Sequence, residues 1–144
     1  MILGVYADTD TMGAAAAEYG AGKIRDALRA RGRATIIVAT GASQFAMLSR
    51  LIKAPRIDWT RVTVFHLDEY VGLPETHPAS FRRYIKTRFI GQLPAPPAAV
   101  HYIDGSAPHP QAVCDALEQR IAQAPVDVCF LGIGENGHLA FNDP

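Results

Sequence analysis

The sequence predicts an α/β fold, a parallel sheet covered by helices on both faces. Three observations predict it. Short continuous runs of β-branched and apolar residues recur, Ala34-Thr35-Ile36-Ile37-Val38 and Val62-Thr63-Val64-Phe65 among them, and such runs read as strands of a buried parallel sheet. Between them lie stretches with apolar residues three and four apart, the spacing of helices that pack one face on a sheet. Strand and helix alternate along the whole chain without an internal repeat, which calls for parallel strands and right-handed crossovers.

The length of 144 residues is that of one domain, enough to bury roughly two thirds of the unfolded surface. A hydrophobic share of 49% belongs to a globular protein. Lys plus Arg and Asp plus Glu are balanced at 14 each, so neither the basic surplus of a nucleic-acid binder nor an acidic tail is present. The amino end has no basic residue before Lys23 and carries Asp8, Asp10 and Glu18, so no secretory signal is expected. No run approaches the ~20 apolar residues of a membrane span. Cys114 falls in a helical pattern and Cys129 in a strand, without metal-ligand spacing. Both are expected to be small core residues in a reducing compartment, by default the cytoplasm.

In chain order, Ile2 to Ala7 alternates loosely and is expected to form a first strand. A helix should run from Thr11 to Arg31, with Ala17, Ile24 and Leu28 facing the core. Asp10 or Thr11 would cap it and Gly32 stop it, while Gly20 and Gly22 weaken its middle enough to allow a break. A buried strand over Arg33 to Ala39 leads into Thr40-Gly41-Ala42-Ser43 and a helix from about Gln44 to Lys53, closed by Pro55. A strand, a small-residue turn and a helix start form either an anion site, built from free N–H groups and the helix dipole, or a tight connection without a ligand. Arg61 to Leu67 is a further strand, and Ser80 to Ile90 a helix with Phe81, Ile85 and Phe89 on one face. Pro94, Pro96 and Pro97 mark a surface linker. Val100 to Ile103 is a short strand, Gln111 to Gln123 a helix burying Val113, Leu117 and Ile121, and Val128 to Leu131 the closing strand.

That closing strand runs into Gly132-Ile133-Gly134-Glu135-Asn136-Gly137-His138. Parallel sheets bind ligands beyond the carboxyl ends of their strands, so polar chemistry placed there marks the expected active site. The glycines also match the dinucleotide fingerprint G-x-G-x-x-G, which needs a helix opening within the glycines and an acidic residue about 20 positions on. Neither requirement is met here, where Asn142-Asp143-Pro144 is turn chemistry, so nucleotide binding is set aside.

Asp68 and Glu69 follow the Arg61–Leu67 strand. Neighbours in extended chain point to opposite sides, so one pocket receives only one of them, and Asp68 is the expected inward group. A carboxylate among apolar and aromatic walls gains a raised pKa and serves as a general base; the bland alternative is a solvated loop pair. His138 is set among glycines with Glu135 and Asp143 flanking it, the surroundings of a histidine oriented for proton transfer. His66, His77, His101 and His109 read as structural or solvent-facing. No histidine–carboxylate set has zinc spacing, so neither metal nor other cofactor is expected.

Two long segments then fit one family together. Phe65-His66-Leu67-Asp68-Glu69-Tyr70-Val71-Gly72-Leu73 and Gly132 through Pro144 resemble the signature segments of glucosamine-6-phosphate deaminases. Thr40, Gly41, Ala42 and Ser43 lie where that family keeps its phosphate loop, and His77 to Phe81 also resembles it. The resemblance implies a three-layer αβα, Rossmann-like domain of which residues 1–144 form the amino-terminal portion, lacking the C-terminal part. It implies an isomerising deamination in which His138 assists opening of the sugar ring and Asp68 moves a proton between C2 and C1. Asn136 and Asp143 would support the histidine, and Gly134 and Gly137 would shape the substrate loop. The partner implied is a small sugar phosphate, with no nucleic acid and no membrane; an exposed apolar edge leaves a homo-oligomer open. Against the family pattern, Asp143 stands where glutamate is usual, and Ala42, Ser43 and Gln44 replace a second glycine and threonine-proline. Two other readings share these motifs: a 6-phosphogluconolactonase-type hydrolase and a catalytically silent sugar-phosphate-binding module.

Overall fold

A computed structural model describes residues 2–142 of the chain. Its first regular element is α1 (Thr9–Arg31). The cap is Asp8, one turn earlier than the apolar pattern indicated: its carboxylate accepts the Thr11 amide at 2.7 Å, and the Thr11 hydroxyl accepts the Asp8 amide at 3.3 Å. This reciprocal pair, three residues apart, satisfies two amides that Asp10 or Thr11 as caps would leave open. At the other end Gly32 adopts φ 69° and its N–H donates to the Leu28 carbonyl, as expected of a glycine stop.

The expected first strand does not form. Residues 2–6 form no strand, and Ile2, Leu3 and Val5 are each at least 80% exposed; a strand needs a neighbouring edge, and no described strand lies alongside to pair with these amides. α1 is unbroken through Gly20 and Gly22. Gly20 earns its place by close approach, because a Cβ there would come within 2.3 Å of the Phe130 ring.

The sheet has four parallel strands, β1 (Ala34–Val38), β2 (Val62–His66), β3 (Ala99–His101) and β4 (Val128–Phe130), in the order β3-β2-β1-β4. The register sets Ile36 beside both Val64 and Val128, and Val38 beside His66 and Phe130. One face therefore carries Ala34, Ile36, Val38, Val62, Val64 and Phe130, all buried. Against it pack α1, α2 (Phe45–Leu51) and α3 (Phe81–Arg88), through Ile24, Leu48, Leu51, Ile85 and Phe89. Trp59 closes one end of this core, edge-on to Phe89 at 5.7 Å.

The opposite face is covered more loosely. It presents Thr35, Ile37, Thr63, Phe65, His101 and Cys129, and among the described residues the end of α4 (Pro110–Ile121) reaches it at Thr35, Thr63, Phe65 and His101. No residue of α4 is fully buried; Val113, Leu117 and Ile121 are its least exposed positions but remain half-buried. The helical stripe named the side that faces the sheet, not how closely the helix would sit. For the same reason neither cysteine is a core residue: Cys114 on α4 and Cys129 on the edge strand are both exposed. No helix among the described residues is long and apolar enough to cross a membrane.

Candidate active site

At the carboxyl ends of β1, β2 and β4 the chain leaves the sheet as three loops, and these enclose a cleft of about 440 Å³. Adjacent strand ends are tied together before they diverge: the Leu67 amide donates to the Val38 carbonyl, and the Ala39 amide to the Phe130 carbonyl. The cleft is lined by Thr40, Gly41 and Ser43 from the first loop, Asp68 from the second, and Gly134 and His138 from the third. Asp68 and His138, 70 positions apart in sequence, thus share one cavity.

Asp68 and Glu69 part company as their places in extended chain require. Asp68 is half-buried in the cleft; burial, and then the neighbouring Glu69 charge, push its carboxyl above the ordinary aspartate value. Glu69 turns to the amino end of α3. Its Oε1 accepts the Tyr70 and Phe81 amides at 2.9 and 3.1 Å, and its Oε2 accepts the Arg82 amide at 2.8 Å and the Ser80 hydroxyl at 2.9 Å. Burial alone would raise Glu69, but these hydrogen bonds outweigh it and hold the carboxyl below its usual value. Two adjacent carboxylates of one residue pair are therefore chemically unlike: a basic one facing the cleft and a firmly ionised one fastening a helix.

The third loop is shaped around His138. Its Nδ1 lies 2.5 Å from Asn136 Oδ1, which also accepts the His138 amide at 3.2 Å. An amide oxygen only accepts, so this contact suits a proton on Nδ1. The turn closes through Gly137 N–H to the Gly134 carbonyl and Gly134 N–H to the His138 carbonyl, both at 2.9 Å. Gly137 holds φ 89°, a conformation that favours glycine. Leu139 pairs with Asn142 as an isolated antiparallel bridge, so no helix opens in the glycines and the dinucleotide reading stays excluded. Asp143 lies outside the described residues.

In the first loop Gly41 has φ 114° and precedes a single 3₁₀ turn, Ala42–Gln44, whose amino end has no side-chain cap. Thr40, Gly41 and Ser43 reach the cleft; Ala42 does not line it. Gly132, at the foot of the third loop, is held close to this turn, since a Cβ there would come within 2.9 Å of Ser43 Oγ.

Of the other histidines, His66 is buried at 4% exposure and takes no part in the cleft. Sequence reasoning missed an aromatic wall made by Tyr70, Phe81 and Phe141; its signal was an aromatic residue within three positions of each of Asp68 and His138. A larger cleft, about 840 Å³ between α2 and α3, is lined by Phe45, Leu48, Lys53, Tyr84 and Arg88 and by no carboxylate or histidine. Among the described residues no three of His, Cys, Asp and Glu gather as a metal site.

Comparison with known proteins bears on the family and the fold. The family described as glucosamine-6-phosphate isomerases/6-phosphogluconolactonase matches residues 7–141. A glucosamine-6-phosphate deaminase of Pseudarthrobacter chlorophenolicus is 41% identical over 130 residues, covering 88% of this chain and 50% of the relative. Glucosamine-6-phosphate deaminase 2 of Mus musculus is 38% identical over 109 residues, covering 73% of this chain and 40% of the relative. The solved structure of a monomeric glucosamine-6-phosphate deaminase superposes with a TM-score of 0.84 at 28% identity, over 95% of this chain and 57% of that one. A 6-phosphogluconolactonase from Thermotoga maritima gives 0.76 at 25% identity, over 92% and 59%. The chain spans about half the length of the curated relatives it matches.

Proposed function

Since the chain belongs to the family of glucosamine-6-phosphate isomerases and 6-phosphogluconolactonases, we propose that it serves an isomerising deamination: glucosamine 6-phosphate and water give fructose 6-phosphate and ammonia. The observation that carries this reading is the single cleft lined by both Asp68 and His138. His138, with Nδ1–H held by Asn136, takes the proton of the anomeric hydroxyl at Nε2 and returns one to the ring oxygen, opening the sugar to its aldehyde. Asp68 then removes the proton from C2 and delivers it to C1, while a proton leaves the amino nitrogen and one reaches O1, so that C1 carries a hydroxyl and C2 an imine. Water adds to the imine left at C2 and ammonia departs. A carboxyl whose pKa is raised by burial is the stronger base for the C2 step. Thr40, Gly41 and Ser43, with the backbone of Ala42, hold the phosphate and so fix C2 over Asp68.

The lactonase reading draws on the structural relatives of that activity; the deaminase reading is favoured by the curated relatives, which carry that name. Parallel assays separate them. Incubation with glucosamine 6-phosphate should release ammonia and fructose 6-phosphate in equal amounts, with no hydrolysis of 6-phosphogluconolactone. Binding of glucosamine 6-phosphate without turnover would select the silent module instead. Asp68→Asn should lower ammonia release about 10²–10⁴-fold, the usual contribution of one general base, while calorimetric affinity for the sugar phosphate stays within a few-fold. Undiminished ammonia release from Asp68→Asn would remove Asp68 from the reaction.

A further inference from the structure

We propose that Tyr70, Phe81 and Phe141 form an aromatic clasp that seats the His138 loop against the Asp68 loop, and that Phe141 is thereby a positioning residue for the proton-transfer pair. The proposal rests on the functional reading above for its kinetic consequence, though not for its geometry.

The three rings come from three elements. Tyr70 stands two residues after Asp68, Phe81 is the first residue of α3, and Phe141 stands three residues after His138. Tyr70 meets Phe81 at 4.9 Å and Phe141 at 5.0 Å, both tilted, and Phe81 meets Phe141 at 5.9 Å with planes 6° apart. These are the tilted and offset arrangements that aromatic quadrupoles favour.

One jaw of the clasp is fixed. A single oxygen, Glu69 Oε1, accepts both the Tyr70 and the Phe81 amides, so one carboxylate joins the two rings through their backbones. Behind Tyr70 the chain is pressed against Gly105, where a Cβ would come within 2.0 Å of the Tyr70 carbonyl, and Gly72 N–H donates to the Gly105 carbonyl at 2.6 Å. The other jaw is Phe141. The backbone bonds described within 132–142 close on the loop itself: Gly134 to His138, Gly137 to Gly134, Asn142 to Leu139. They give the loop its shape, and its foot is held at Gly132 against Ser43. Phe141 supplies the contact that crosses to the Asp68 side. The clasp joins the His138 loop to the same short segment that carries Asp68, so the separation of the two groups is set through these rings.

The test is a kinetic pair, Phe141→Ala and Phe141→Tyr, assayed for ammonia release from glucosamine 6-phosphate, with the His138 ring signals followed by NMR in ¹⁵N-histidine-labelled protein. Phe141→Ala should lower kcat about ten- to a hundredfold, the scale of an ångström's misplacement, with KM changed less than about threefold. In Phe141→Tyr the ring is kept and kcat should return to within about threefold. The His138 signals should show one Nδ1-protonated tautomer in the parent and in Phe141→Tyr, and an averaged state in Phe141→Ala. Retained kcat in Phe141→Ala, or equal loss in Phe141→Tyr, overturns the clasp. Should the parent release no ammonia, the functional reading falls while the NMR arm still decides: unaltered His138 signals in Phe141→Ala overturn the proposal, and averaging supports it.

Discussion

Gly134 owes its identity to the histidine four positions on. A Cβ at Gly134 would stand 2.1 Å from His138 Cε1 and 2.6 Å from Nε2, closer than atoms can approach. The ring is packed flat on a bare backbone, and any side chain must displace it. Gly134→Ala is expected to cut ammonia release about 10²-fold, as misplacement of a proton-transfer group does, with a melting temperature within a few degrees of the parent. Steady-state rates and thermal melts check this, and full activity in the variant would show the imidazole moving aside without consequence. At the same scale, the parting of Asp68 from Glu69 was readable in the sequence, because alternation in extended chain is a local property. Which residue caps α1 was not: Asp8, Thr9, Asp10 and Thr11 are four capping types in succession, and the reciprocal Asp8–Thr11 pair decides among them.

Among the elements, β2 carries the strongest acid sensitivity. His66 ends that strand facing the core, its Nδ1 near the Ile103 amide at 3.5 Å and its Nε2 buried without a partner. Burial pushes its pKa down to about 4, partly opposed by Glu69 and reinforced by Arg82. The folded state therefore holds fewer protons on this ring than the unfolded chain does, and stability falls as pH drops from about 6.5 toward 4. Between pH 7 and 5 the loss should be roughly 2 kcal/mol, at about 1.4 kcal/mol per pKa unit. Urea denaturation at the two pH values measures it, and His66→Gln should flatten most of the difference; an unchanged slope in that variant would place the acid sensitivity elsewhere. β1 and β2 were legible as strands because continuous β-branched runs leave little alternative. Residues 2–6 were not, since whether an apolar stretch becomes a strand depends on an edge supplied from elsewhere in the fold.

For the whole molecule, the asymmetry of the sheet matters most. Three helices bury one face, while on the other the end of α4 reaches Thr35, Thr63, Phe65 and His101 and Cys129 stays exposed. Alternation of strand and helix foretold the layers, but not their tightness, which depends on the sum of side-chain volumes between them. Thiol titration of the native protein is expected to count both Cys114 and Cys129 without denaturant, with Cys129 reacting more slowly because burial raises its pKa. Protection of Cys129 that is lost on dilution would instead report a second copy covering this face.

Strand β4 enters the sheet from far along the chain. Asp127, just ahead of it, anchors to Arg31 and accepts the Thr35 amide across 92 positions, whereas the β1–β2 pairing closes a loop less than a third as long. Closing the longer loop costs about 1 kcal/mol more in chain entropy, and it is recovered over only three paired positions. The strand that leads to the imidazole thus pairs over no more positions than β3 while closing the longer loop. Hydrogen exchange should find the amides of Val128 to Phe130 opening well before those of Ile36 and Val64. A population that has lost its chemistry while keeping its helices and central strands would then precede global unfolding, and ammonia release would fade at lower urea than the helical signal does.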